Sequence, residues 1–136
     1  RRCIIIMGNV YSSFSSYPFD TIQNKIACNY DFVLISTLPE NQQHCLIKNT
    51  IHANKETDFM NHLLNKDKKK EIIIYGRNHR DLKVIEKYNQ LKKLGFVNVY
   101  IYFGGLFEWL LLHIAYKEIN FPVDGTFNEN DLLNYK

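Results

Sequence analysis

Between residues 71 and 109 the chain reads EIIIYGRNHRDLKVIEKYNQLKKLGFVNVYIYFGGLFEW. Ile72, Ile73, Ile74 and Tyr75 form an apolar run with no alternation, which suits a strand covered on both faces, as in a parallel sheet. A short polar loop follows. Val84, Ile85, Tyr88 and Leu91 then recur at helical spacing, and Gly95 stands where a C-cap belongs. Residues 97–102 read as a further strand, and Gly104-Gly105 turns the chain into an apolar helix over 107–116 that carries Trp109, Leu110, Leu111 and Ile114. Strand, loop, helix, strand, turn and helix in this order leave an α/β architecture with a mainly parallel central sheet and helices on both faces.

The flanking segments extend the pattern. Phe19, Ile22 and Ile26 predict a short helix over 19–27, and residues 31–38 a second strand without alternation. Cys45-Leu46-Ile47 and Thr50-Ile51-His52-Ala53 are short and β-leaning. Residues 56–64 place Phe59, Leu63 and Leu64 on one helical face, with Met60 flanking, and a lysine-rich turn over 66–70 ends that helix. In the tail a turn is expected at Gly125 and a last short helix near Leu132 and Leu133. The expected organisation is a flexible N-terminal arm over 1–18, rich in serine from Ser12 to Ser16, and one domain over 19–136.

With 136 residues the chain can bury one core and is too short for two. Its formal charge is +3, and the four arginines are Arg1, Arg2, Arg77 and Arg80, so no basic stripe interleaved with aromatics marks a nucleic-acid surface. Three cysteines, Cys3, Cys28 and Cys45, stand at irregular spacing without a CxxC pair. They argue against a disulfide framework or a structural zinc site and for a reducing, cytoplasmic compartment. His44 and His52 are read as unrelated polar positions, and no metal or cofactor is expected. No stretch is long and apolar enough to span a bilayer. Met7-Gly8-Asn9-Val10-Tyr11-Ser12 matches the pattern for N-myristoylation, so Gly8 becomes an acyl acceptor if translation starts at Met7. A peripheral membrane association is expected on that condition alone, and a single acyl chain would make it reversible.

The loop Gly76-Arg77-Asn78-His79-Arg80-Asp81 joins a buried strand to a helix, where open α/β sheets place their sites. Around it stand Leu34-Ile35-Ser36-Thr37-Leu38, Leu46-Ile47-Lys48-Asn49-Thr50-Ile51, Gly95-Phe96-Val97-Asn98-Val99, and Gly104-Gly105 followed by Trp109. In that order these pieces resemble the rhodanese homology domain over most of residues 19–122. The resemblance implies a rhodanese-like fold whose loop carries a sulfur-accepting cysteine in a C-R-x-G-x-R-like frame.

Two positions depart from that frame. Gly76 stands where the family has its cysteine, and glycine offers no nucleophile. Asp81 stands where the last loop arginine would be, and its carboxylate weakens an anion site. The expected function is therefore a non-catalytic binding or regulatory module. Arg77, His79 and Arg80 are offered to a protein partner of acidic or phosphorylated character. The alternative is a thiosulfate sulfurtransferase with a relocated carrier, for which Cys45, read as lying in the loop region between strands, is the candidate, while Cys28 is read as packed. A cysteine returned to position 76 is expected to be reactive if the loop register is right.

Overall fold

The computed structural model describes residues 14–136. Gly8 and Cys3 lie outside the described residues. The elements run α1 (Phe19–Ala27), β1 (Val33–Ser36), β2 (Cys45–Ile47), β3 (Thr50–Ile51), α2 (Ala53–Lys66), β4 (Ile72–Tyr75), α3 (Lys83–Lys93), β5 (Val99–Tyr102), α4 (Gly105–Tyr116) and β6 (Val123–Gly125). Two 3-10 segments, Glu40–Gln42 and Glu129–Tyr135, complete the chain.

The unbroken apolar runs become the centre of the molecule. β3, β1, β4 and β5 form a parallel sheet in that order. Side chains alternate between its two faces. Leu34, Ile73, Tyr75 and Tyr102 pack with Ile22 and Ile26 of α1 and with Leu106, Trp109 and Leu110 of α4. Val33, Ile35, Ile72, Ile74, Val99 and Ile101 pack on the other face with Met60 and Leu63 of α2 and Val84, Tyr88 and Leu91 of α3. Both faces being covered, every residue of β1 and β4 is buried, which is why neither run alternates.

Several boundaries differ from the sequence reading. His52 and Ala53 leave the sheet: His52 is the N-cap of α2 and Ala53 its first residue. The Ala53 amide donates to the Gln43 side chain at 2.7 Å, a long-range contact that no local pattern announces. Strand β6 was not expected. It pairs antiparallel with β2, Cys45 beside Gly125 and Ile47 beside Val123, in a separate two-stranded sheet. The last helix is the 3-10 segment Glu129–Tyr135, opened by a capping box between Asn128 and Asp131.

Residues 14–18, placed in the flexible arm by sequence, belong to the packed body. Phe14 meets Tyr88 edge-on at 5.2 Å, and Tyr17 stacks on Tyr100 at 4.2 Å. Ser16 forms a parallel bridge with Ile101, and the Tyr17 hydroxyl donates to Glu71 at 2.6 Å. Among the described residues no helix is long and apolar enough to cross a membrane.

Candidate functional site

The final residues of the three central strands lie in register, Ser36 beside Tyr75 and Tyr75 beside Tyr102. The loops that follow leave the sheet side by side. This is the edge at which strand ends and helix N-termini make a binding crevice in such folds. Residues 76–81 form the middle loop.

Backbone contacts fix it. The Leu106 amide donates to the Gly76 carbonyl and the Phe107 amide to the Arg77 carbonyl, both at 2.9 Å. These belong to the first turn of α4, whose amides have no partner within the helix. Gly105 has φ +72°, and a Cβ on it would lie 2.9 Å from the backbone N and Cα of Asn78. Only glycine accepts both the left-handed conformation and the close approach. On the opposite side the Asn78 side-chain Nδ2 donates to the Tyr135 carbonyl at 2.8 Å, so the C-terminal segment closes against the loop.

Asp81 folds back into this loop. Its Oδ2 accepts from the Thr37 hydroxyl at 3.0 Å and from the Arg77 amide at 3.0 Å, and its Oδ1 accepts from the Lys83 amide at 3.0 Å. A Cβ built on Gly76 would lie 2.8 Å from the Asp81 Cγ and 2.9 Å from its Cβ, with Oδ2 nearer still. The carboxylate thus fills the space of a side chain at position 76 and takes a loop amide that would otherwise face an external anion. The sequence reading made Asp81 a charge that weakens an anion site. In the structure its carboxylate lies against Gly76 and accepts from the Thr37 hydroxyl and the Arg77 amide. The expectation of a reactive cysteine at position 76 is corrected accordingly, because that side chain has no room while Asp81 stays in place.

Beside the loop lies an open groove of about 460 Å³. Arg77 and Arg80 line it, together with Lys83, Lys136, Thr37 and Gln42. His79 is exposed and is not on the groove wall. Sequence reasoning missed Lys136 and Gln42, which reach the site only through the fold. Thr37 could have been found as the residue one step past a strand end that neighbours Gly76.

Cys45 does not lie in a loop. It is the first residue of β2 and is 0% exposed. Burial, with the charge of Asp124 nearby, pushes its thiol up to about 11, away from thiolate formation near neutral pH. Cys28, read as packed, is the exposed thiol, beside Asn24 at the end of α1. His44 faces the Tyr135 hydroxyl at 3.4 Å and His52 faces Asn54 at 3.2 Å, so the two histidines serve different neighbours. Among the described residues no group of three or more His, Cys, Asp or Glu could hold a metal ion.

Two residues near the loop are structural. Trp109 is fully buried and donates its Nε1 proton to the Pro122 carbonyl at 3.1 Å. Glu108 accepts from the Tyr102 hydroxyl at 2.6 Å; burial and this bond hold the Tyr102 phenol well above its usual range. Tyr75, fully buried, bridges the two sheets: its hydroxyl hydrogen-bonds with the Thr50 hydroxyl at 2.8 Å and accepts from the Ile47 amide at 3.2 Å, and burial raises its phenol as well.

The fold and the loop define a rhodanese-like domain. Residues 20–112 match the family described as the rhodanese-like domain, and the chain belongs to that family. No curated protein matches it. Among solved structures it is similar to a protein from Anabaena sp., at 18% identity and TM-score 0.62, covering 88% of this chain and 100% of that one. A solution structure of the rhodanese-like domain from an Anabaena sp. protein matches at 18% identity and TM-score 0.60, over 82% of this chain and 79% of that one. A Bacillus halodurans protein matches at 17% identity and TM-score 0.63, over 88% of each chain. At these identities the likeness is one of fold.

Proposed function

We propose that this chain is a non-catalytic rhodanese-like module that acts by binding. The observation that carries this reading is the Asp81 carboxylate, bonded to Thr37 and to the Arg77 amide in the space where a side chain at position 76 would stand. A sulfur carrier needs a nucleophile, and the loop amides and positive field needed to hold a thiolate. Gly76 supplies no nucleophile, and Asp81 uses the Arg77 amide. The relocated carrier gains no support from the geometry, since Cys45 is buried in β2 with its thiol raised. Reversible attachment through an acylated Gly8 belongs to the proposal only where translation starts at Met7, and intact mass of the protein started at Met7 in a eukaryotic host reads it directly.

The decisive assay offers thiosulfate and cyanide and measures thiocyanate, the product when sulfane sulfur passes to cyanide and sulfite is released. The wild-type protein is expected to give no turnover. Turnover that disappears in Cys45→Ser would overturn the reading. Gly76→Cys alone is expected to give a thiol that alkylates slowly near neutral pH, whereas Gly76→Cys with Asp81→Ala opens the space and alkylates at least about tenfold faster.

A further inference from the structure

The groove beside the loop continues into a second, of about 610 Å³, and Thr37, Leu38 and Lys83 line both. The first part is the more positive: the side chains of Arg77, Arg80, Lys83 and Lys136 stand against Asp81, whereas in the second Lys83 and Lys87 balance Glu56 and Glu86. Around the first stand Arg77, Arg80 and Lys136, none of them ion-paired among the described residues. Among the described side chains lining it, the carboxylate of Asp81 accepts three hydrogen bonds from the chain itself. In the second, Lys87 is matched by Glu56 at 2.6 Å, which leaves Glu86 without an ion pair among the described residues.

We propose that this trough binds an extended peptide whose anionic side chain, phosphorylated or carboxylic, sits among Arg77, Arg80 and Lys136, and whose basic side chain reaches Glu86. The size of the two grooves fits a few residues of chain rather than a single ion. Guanidinium groups suit an oxyanion because they donate in pairs, and a phosphoryl group presents more charge to them than a carboxylate. The proposal rests on the non-catalytic reading of the loop, in which the small-anion place is already taken.

Fluorescein-labelled peptides of sequence Ala-phosphoserine-Ala-Ala-Lys-Ala, with Glu or Ser in place of phosphoserine and with Ala in place of Lys, are titrated by fluorescence anisotropy. The phosphorylated peptide is expected to bind tightest, the glutamate peptide more weakly and the serine peptide not measurably. Replacing the peptide lysine should weaken binding about threefold, as for an exposed ion pair. Arg80→Glu and Lys136→Glu, both at exposed positions, should weaken it about tenfold, and Lys69→Glu, on the distant basic turn, should leave it unchanged. In Glu86→Lys the peptide lysine should no longer help. Equal binding of the serine peptide, or equal losses in Lys69→Glu and Arg80→Glu, would overturn the trough. Thiocyanate formation in the same preparations separates the two readings. The absence of both peptide binding and turnover defeats only the trough, turnover with peptide binding defeats only the non-catalytic reading, and turnover without binding defeats both.

Discussion

Positions 76 and 45 divide between them what sulfur chemistry needs in one place. Position 76 has the setting: it follows the central strand, its loop is braced by the first turn of α4, and its neighbours offer amides and cations. It lacks a side chain. Position 45 has the thiol without the setting, in the first residue of a buried strand where burial and the carboxylate of Asp124 both disfavour the thiolate. The contrast teaches that a nucleophile is a property of a place as much as of an atom. A cysteine under full burial is a small apolar residue, and an amide-rich loop without a thiol holds whatever anion the chain supplies.

The loop's side of the comparison breaks most severely at Gly105. Gly105→Ala places a Cβ against the Asn78 backbone and forces a left-handed conformation on alanine. Urea unfolding is expected to show a loss of about 2–4 kcal/mol. Cys45 tests the other side. Its folded thiol is raised from 9.0 to about 11, so the native state holds that proton more tightly than the unfolded chain does. The associated stability is complete below pH 9 and is lost as pH rises toward 11, an expected decline of roughly 2 kcal/mol. Cys45→Ala should remove that part of the decline and leave the part that begins near pH 10 from the raised phenols of Tyr75 and Tyr102, and in native protein Cys28 should alkylate while Cys45 does not. A thiol at position 45 that alkylates near neutral pH would erase the contrast. Thr37→Val gives the smallest expected effect, about 1 kcal/mol, by removing one of the two donors to the Asp81 Oδ2. An unchanged midpoint there would mean that the Arg77 and Lys83 amides hold the carboxylate without the Thr37 hydroxyl.

The central sheet was legible because its signal is local. Four consecutive buried residues in each of β1 and β4, and the helical spacing of Val84, Tyr88 and Leu91, record their burial in the sequence itself. Strand β6 was not legible, since Val123-Asp124-Gly125 carries a half-exposed pattern and takes its identity from pairing with β2. In the same way residues 14–18 look like a serine-rich arm and are held by Tyr88, Tyr100 and Ile101. At the site, the absence of a nucleophile at Gly76 followed from the chain. That Asp81 occupies the vacated space did not, because it depends on the turn at Asn78 and the reach of Thr37 from the neighbouring strand end. Lys136 is the furthest case, brought to the groove by a segment whose anchor is the buried Tyr135.

The bridge between Ser16 and Ile101 sets how the module faces the world. Residues 15–17 run parallel to β5, so Phe14 lies toward the starting ends of the strands, while the loop and its groove lie beyond their finishing ends. The described chain therefore enters the domain at Phe14, at the pole opposite the groove. A molecule held from that side would display its cationic mouth outward, to anything that approaches, with the point of attachment hidden behind the sheet.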